Sequence, residues 1–395
     1  MDRKIKIAYL LTHPIQYFSP LFREFSKRKD IEFIVYYCSD ESIRGSYDPN
    51  FKTKVKWDIP ILEGYRYKFL KNHSPFPSIY KPLSGLINFG IIKELKNKRF
   101  DFIVVNGWNF GTAILTAIVS KPLNYKVSVF SDTPLKLELL KPPYIRYFKK
   151  FVFKYFFKLF NFFVVPGEDS FRLIKYYGVN DKNICKTYHC VDNEFFYLYY
   201  KRYRKNIKRL KMELNIPYNK FIILFVGKLI SKKNPLILLK VLKELNNENI
   251  FVVFVGDGPL RNDMMKYIEE NEMKNVSIKG FVNQSEITKY YAVSDILVLP
   301  SISETWGLVV NEAFNFGIPA IVSEYVGCAN ELVIDGYNGF VFKDENDLKD
   351  KIEKLYKDEK LLKEMGINAL ESVKSFNFQN YIENLLNFMR YEGKI

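Results

Sequence analysis

The stretch Ile296–Val322, ILVLPSISETWGLVVNEAFNFGIPAIV, decides the fold. It opens on a short apolar run, Ile296–Leu299, closed by Pro300. A loop follows, Ser301–Thr305. A helical pattern then runs over Leu308–Phe316, is punctuated by Gly317 and Pro319, and gives way to a second apolar run, Ala320–Val322. Strands that are apolar throughout and joined through a helix belong to a parallel sheet covered on both faces.

The same alternation extends outward in both directions. In the second half, strands read at Ile222–Val226, Phe251–Val255 and Val276–Ile278, with helices at Pro235–Leu245, Leu260–Asn271 and Gln284–Tyr291. In the first half, strands read at Ile5–Leu11, Glu32–Tyr37, Phe102–Val105, Lys126–Phe130 and Phe162–Val165. Helices read between them at Pro20–Lys27, Leu83–Lys96 and Gly111–Val119. Two such series predict an α/β protein of two doubly wound, Rossmann-like domains facing across a cleft. The expected division is 1–200 for the first domain, 201–215 for a basic linker and 216–375 for the second domain. A last helix within 376–395 is able to cross back to the first domain. The linker carries Lys201–Lys211, KRYRKNIKRLK.

A chain of 395 residues exceeds what one core usually fills, in keeping with two domains. Hydrophobic residues make up 48 % and charged residues 26 %, which excludes disorder over most of the chain. Lys and Arg total 60 against 44 Asp and Glu, a net of +16. The excess sits before Met212: the chain up to Lys211 carries 39 basic and 18 acidic residues. That half should seek an anionic partner: nucleic acid, an anionic membrane, or a phosphorylated substrate. Cys38, Cys185, Cys190 and Cys328 have no CxxC spacing, so neither a disulfide framework nor a zinc site is expected; buried thiols in a reducing compartment are. No metal site is expected. Neither a signal peptide nor an uncharged apolar run of about 18 residues is present, so the expectation is a cytoplasmic protein.

Ligands of open α/β sheets bind beyond the carboxyl ends of the strands, so chemistry is expected in the loops after strands. In SISETWGLVVNEAFNFGIP, Glu304 lies in such a loop and the next helix begins near Gly307. The amides of Trp306, Gly307, Leu308 and Val309 then form a donor-rich end suited to a diphosphate. Gly307 removes a side chain where an anion must come close, and Glu312 lies further along the helix. In VGKLISKKNP (Val226–Pro235), Gly227 turns the chain, and Lys228 and Lys233 stand where they can neutralise a diphosphate leaving group. Lys232 reads as a solvated surface residue. VGDGP (Val255–Pro259) is by itself a tight turn, and is not a GxGxxG dinucleotide fingerprint.

On these motifs the second half resembles the retaining glycosyltransferases of family 4, group 1 glycosyltransferases with the GT-B fold. Glu304 and Glu312 match the ends of its E-x7-E signature, Lys228 and Lys233 its basic pair, and GDGP its turn. EYVGCANELVIDGYNGF (Glu324–Phe340) and the string Ser285–Pro300 are also similar to it. The resemblance implies metal-independent transfer of a sugar from a nucleoside diphosphate of UDP or GDP type, with retention, to a glycan or lipid-linked acceptor. No cofactor is implied. Gly227, Lys228, Lys233, Gly256, Glu304, Thr305, Trp306, Gly307, Leu308, Val309 and Glu312 would bind the donor. Lys228 and Lys233 would hold the diphosphate, Glu304 would contact the transferred sugar and Glu312 the ribose. Phe281 and Val282, in Lys279–Asn283 (KGFVN), would lie beside the base.

The first domain would hold the acceptor. Its first strand is followed by LTHPIQYFSP (Leu11–Pro20) in place of the family's common glycine-rich loop. His13 there is a candidate proton acceptor or phosphate ligand; a cap on local backbone is the equal alternative. Asn106 and Trp108, after another strand, and Asp132, after a third, are further acceptor candidates. Capping of the next helix is the commoner role for such an Asp. Arg146, Lys150, Lys154 and Lys158 recur every four residues, on one face of a Phe-rich helix. A core-packed helix with a solvated lysine stripe and a helix lying on the inner face of an anionic membrane are the two readings. A nucleotide-sugar epimerase on the same fold and, from residues 201–211, a nucleic-acid-binding protein are the alternatives. No recognised nucleic-acid module accompanies that run, and no nucleic-acid partner is expected.

Overall fold

The computed structural model describes residues 3–45, 47–48, 53–54, 57–81 and 83–391. The chain divides into two units, each built on one parallel sheet.

The first unit comprises residues 1–46, 59–189 and 378–395. In chain order its early elements are β1 (Ile5–Leu11), α1 (Phe18–Lys27) and β2 (Ile31–Tyr37). A short antiparallel pair, β3 (Tyr47–Asp48) and β4 (Thr53–Lys54), falls to the second unit. Then come β5 (Tyr67–Phe69), α2 (Gly90–Asn97), β6 (Phe102–Asn106), α3 (Gly111–Ser120), β7 (Lys126–Phe130), α4 (Leu135–Leu139) and α5 (Pro143–Phe156). β8 (Phe162–Val165), α6 (Glu168–Tyr176) and β9 (Ile184–Lys186) complete the series. The sheet order is β5-β2-β1-β6-β7-β8-β9. The connection reverses direction between β1 and β6, and such a reversal leaves a crevice at the carboxyl ends of the two strands. His13 follows one of them and Asn106 ends the other.

The second unit comprises 47–58 and 190–377. Its elements are α7 (Asn193–Tyr203), α8 (Ile207–Glu213), β10 (Phe221–Val226), α9 (Pro235–Leu245), β11 (Ile250–Val255), α10 (Arg261–Glu270) and β12 (Val276–Ile278). They continue with α11 (Gln284–Val293), β13 (Ile296–Leu299), α12 (Leu308–Phe314), β14 (Ala320–Ser323), β15 (Gly339–Phe342), α13 (Glu345–Lys357) and α14 (Glu359–Val373). The sheet order is β12-β11-β10-β13-β14-β15, with its reversal between β10 and β13. These two strands pair in parallel, Ile223 opposite Ile296 and Leu224 opposite Leu297. β10, β11 and β13 are buried along nearly their whole length, which explains why they read as unbroken apolar runs.

The boundary differs from the expected linker. The first unit ends at His189, and the basic run 201–211 lies on α7 and α8, packed against α11 of the second unit. Lys211 is buried there, donating to the carbonyl of Tyr218 at 3.4 Å. Phe196 on α7 and Leu210 on α8 are the apolar anchors buried by these helices, a pattern that charge density alone conceals. The last helix, α15 (Phe378–Tyr391), belongs to the first unit and packs on α1 and β9. It buries Tyr381, Ile382, Leu385, Leu386 and Met389. Burying such side chains is worth up to about 1.5–3 kcal/mol each. The Tyr9 and Tyr381 hydroxyls meet at 3.3 Å, and Arg28 pairs with Glu383.

Candidate active site

The loop after β10 starts at Gly227, which adopts φ +157°. The chain passes Lys228, forms a single tight turn over Ser231–Lys233, and enters α9 through Asn234 in the left-handed conformation with Pro235 at the first helical turn. Lys233 folds back over Gly227: its Cδ lies 3.8 Å from where a Cβ on that glycine would stand.

The loop after β11 explains the GDGP string. A Cβ on Gly256 would stand 1.8 Å from the carbonyl oxygen of Gly227, and one on Gly258 2.6 Å from that of Leu229. Only glycines let these backbones touch. The contact is stitched by Leu229 donating to the carbonyl of Asp257 at 2.9 Å and Leu260 donating to that of Leu229 at 3.0 Å. Asp257 accepts from Arg261 at 2.8 Å. Gly256 donates to the carbonyl of Gly280 at 2.8 Å, which carries the scaffold on to Phe281 and Val282 after β12.

The loop after β13 presents Glu304. Lys233 donates to its Oε2, and the Ser301 hydroxyl stands 3.5 Å from the same oxygen. The Ile302 amide donates to the carbonyl of Lys232 at 2.9 Å, tying the two loops together. Lys232 itself is exposed, as expected of a solvated residue. From behind, the segment Tyr325–Cys328 holds the loop: Gly327 donates to the carbonyl of Glu304 at 3.1 Å and Cys328 to that of Trp306 at 2.9 Å. This scaffolding accounts for the EYVGCANE string. Gly307 opens α12 at φ +100°, with Leu299 and Val326 crowding the place of a Cβ at 3.0 Å. The first amides of a helix have no intrahelical acceptor, so those of Leu308 and Val309 are donors at this loop.

Burial and the neighbouring charge of Lys228 pull the Lys233 ammonium down to about 8. The arrangement thus brings two lysines, one carboxylate and a set of amides to the switch point of the sheet. It suits an anion that carries a polyhydroxylated group.

One donor candidate, Glu312, is placed differently from expectation, and the side chain of a second, Trp306, expected to act through its amide, is buried. Trp306 is only 2 % exposed, its indole donating to Asn311 at 2.9 Å, so the ring supports the loop and does not line it. Glu312, 3 % exposed, accepts from the Tyr291 hydroxyl at 2.6 Å within a buried polar cluster. α12 is also shorter than the Leu308–Phe316 reading, ending at Phe314. Two residues the sequence reading missed stand at the same edge. Trp57 packs edge-on to Phe281, with ring centroids 6.0 Å apart. Asp58 accepts from the Ser285 amide at 3.2 Å and from its hydroxyl, while its own amide donates to Asn283 at 3.4 Å. They lie more than 200 positions away in sequence, and no local pattern marks them.

In the first unit, His13 is partly buried, its Nδ1 2.9 Å from the Thr12 hydroxyl. Burial pulls its imidazole down to about 4, so it is neutral at ordinary pH and suits proton acceptance better than phosphate pairing. Asp132 does not cap the next helix: the Lys136 amide of α4 takes Asp169 at 3.1 Å, and the cap position is Pro134. Asp132 lies near His189, whose imidazole burial lowers to about 4 against the opposing charge of Asp132. Asn106 ends β6, half-buried beside Gly107 at φ +87°. Trp108 is a correction. Its ring packs on Phe153 and Phe157, with centroids 5.8 and 5.1 Å away, and serves to anchor α5.

The comparison with known families bears on this geometry. Residues 206–372 match the family model described as Glycosyl transferases group 1. The matched segment contains the loops that follow β10 to β15. An uncharacterized glycosyltransferase of Methanocaldococcus jannaschii is 32 % identical over 161 residues, 40 % of this chain and 45 % of that protein. The chain therefore spans about half the length of that relative. A UDP-Gal:alpha-D-GlcNAc-diphosphoundecaprenol alpha-1,3-galactosyltransferase of Escherichia coli is 28 % identical over 80 % of this chain and 79 % of its own. Among solved structures, Anabaena HepE in complex with UDP superposes with a TM-score of 0.75 at 16 % identity, over 98 % of this chain and all of that one. The architecture is that of the GT-B glycosyltransferases.

Proposed function

We propose that the protein is a group 1 glycosyltransferase that moves a sugar from a nucleoside diphosphate, of UDP or GDP type, to a lipid-linked or glycan acceptor with retention of anomeric configuration. The observation that carries this reading is the meeting of Lys233, Lys228 and Glu304 at the switch point of the second unit. The names of the relatives agree with it: one transfers galactose from UDP-Gal to a diphosphoundecaprenol-linked sugar, and the HepE structure holds UDP.

In this reading the bond between the anomeric carbon and the diphosphate oxygen breaks, and the leaving oxygen gains negative charge. Lys228, Lys233 and the amides of Leu308 and Val309 stabilise it. The acceptor oxygen bonds to the anomeric carbon on the same face, and its proton passes to the departing phosphate oxygen. Glu304 faces the transferred sugar, and Phe281 and Val282 the base. His13, Asp132 and Asn106 serve the acceptor. The lysines supply the cationic charge, so no metal ion is assigned a role.

A thermal-shift screen of nucleotides and nucleotide sugars tests the donor. A ligand bound only by the native state raises the transition temperature. The proposal expects stabilisation by UDP or GDP, in EDTA as in buffer, followed by sugar transfer or slow hydrolysis with the matching donor. No shift with any nucleoside diphosphate would remove it.

A further inference from the structure

We propose that the outward face of α5 docks the protein onto an anionic phospholipid bilayer. A surface helix of a globular protein normally turns its apolar stripe inward. α5 carries two stripes. Phe153 and Phe156 face inward, Phe153 lying on Phe157 and Tyr177 with centroids 5.0 and 4.8 Å apart. Lys149 on that side is neutralised by Glu138 at 2.6 Å. The opposite stripe is Tyr144, Tyr147, Phe148, Phe151, Val152 and Tyr155, whose spacing of three and four places them along one side. All six are exposed, Tyr147 at 73 %, Phe148 at 69 % and Phe151 at 65 %. Nothing in the first unit needs these rings outside, since the helix is already anchored by its other face.

Charge identifies the occupant. Lys150, Lys154 and Lys158 flank the stripe one turn apart, and none has a carboxylate partner among the described residues. Lys150 and Lys158 instead lie over the Tyr176 and Tyr155 rings, at 4.6 and 5.2 Å. Aromatic rings bordered by lysines on long stems match the boundary between acyl chains and anionic headgroups. The unit to which α5 belongs also carries the basic excess of the chain, which adds long-range attraction to such a surface. Trp108, anchored beneath α5, joins this face to the strand-end loop after β6. A lipid-borne acceptor would thus be met by the unit proposed to bind it.

The test is co-sedimentation of the full chain with vesicles of phosphatidylglycerol and phosphatidylcholine, and with phosphatidylcholine alone. The wild type should sediment with the anionic vesicles at low salt and much less at high salt or without the anionic lipid. A Phe148→Ser, Phe151→Ser variant and, separately, a Lys150→Glu, Lys154→Glu variant should each bind at least about tenfold more weakly. Both alter exposed side chains, and an unchanged thermal transition, with the nucleotide shift intact, shows that they are folded. Binding is read without sugar transfer, so its outcome is separate from that of the donor assignment. Absence of anionic-vesicle binding, or equal binding by both variants, overturns the proposal. A lipid-free dimer that the same substitutions dissociate also overturns it and assigns the face to a second copy.

Discussion

Lys233 and Glu304, 71 positions apart, meet as an ion pair because the strands preceding their loops, β10 and β13, are neighbours in the sheet. The pair is largely screened from solvent, with the two side chains 21 % and 14 % exposed. A buried charge left without its partner is costly, so each member holds the other in place. In the proposed reaction a bound diphosphate would offer Lys233 a second anion and leave Glu304 free for a sugar hydroxyl.

Removing either member should therefore cripple transfer. Lys233→Ala and Glu304→Gln should each lower kcat by about 10²–10³, the loss typical of a preorganised group acting on developing charge. Steady-state kinetics with the donor identified by thermal shift checks this. Rates within a fewfold of wild type in both variants would show that the cluster is not where the chemistry happens.

Donor affinity should fall with rising pH earlier than an ordinary lysine allows. Lys233 titrates at about 8 in the free protein and is cationic below that value. A ligand that needs the cation binds fully below pH 8 and loses up to about tenfold per pH unit above it. Calorimetric titration of UDP or GDP from pH 6.5 to 9.5 should show the break, and Lys233→Arg should abolish it, since guanidinium stays charged throughout.

Gly256→Ala should damage the site from a distance. The added carbon would lie 1.8 Å from the Gly227 carbonyl, so the two loops must part. Overpacking of this kind costs about 1–3 kcal/mol or more. Reduced urea stability together with a weakened nucleotide shift is expected, whereas Gly336→Ala, which meets nothing within 4 Å, should cost only its φ +76° strain and leave nucleotide binding intact.

Acid should weaken the first unit through its histidines. His13 and His189 stay neutral in the folded protein down to about 4, while an unfolded chain protonates near 6.5. Between those values the unfolded state binds more protons, so stability falls as pH drops from about 6.5 towards 4. His13→Gln or His189→Gln should flatten that slope, each by on the order of 1–3 kcal/mol between pH 7 and 4.5, as read from urea midpoints.

Much of the second unit was legible because unbroken apolar runs, glycines at forced turns and lysines after strands all express local physics. Of the short strands of the two parallel sheets, β5, β9 and β15 were not legible. β5 carries only Tyr67–Phe69, and β15 starts on a glycine, so neither stands out from its loops. Glu304 and Lys233 were readable from their places after strands, but their contact was not, because pairing order is a property of the whole sheet. Trp108 shows the opposite failure: a large aromatic after a strand reads as a ligand contact, yet its ring packs on Phe153 and Phe157 and pins α5. The run 201–211 misled through its charge, which masked the apolar side that α7 and α8 bury.

The return of α15 to the first unit has a consequence for biogenesis. Tyr9 finds its hydroxyl partner on Tyr381, which is made 372 residues later. An emerging polypeptide must therefore make the second lobe while the first still lacks α15, leaving Phe25 and its aromatic neighbours partly uncovered until Tyr381 has emerged. Nascent chains stalled before Phe378 should be avid clients of holdase chaperones, and emergence of α15 should end that engagement.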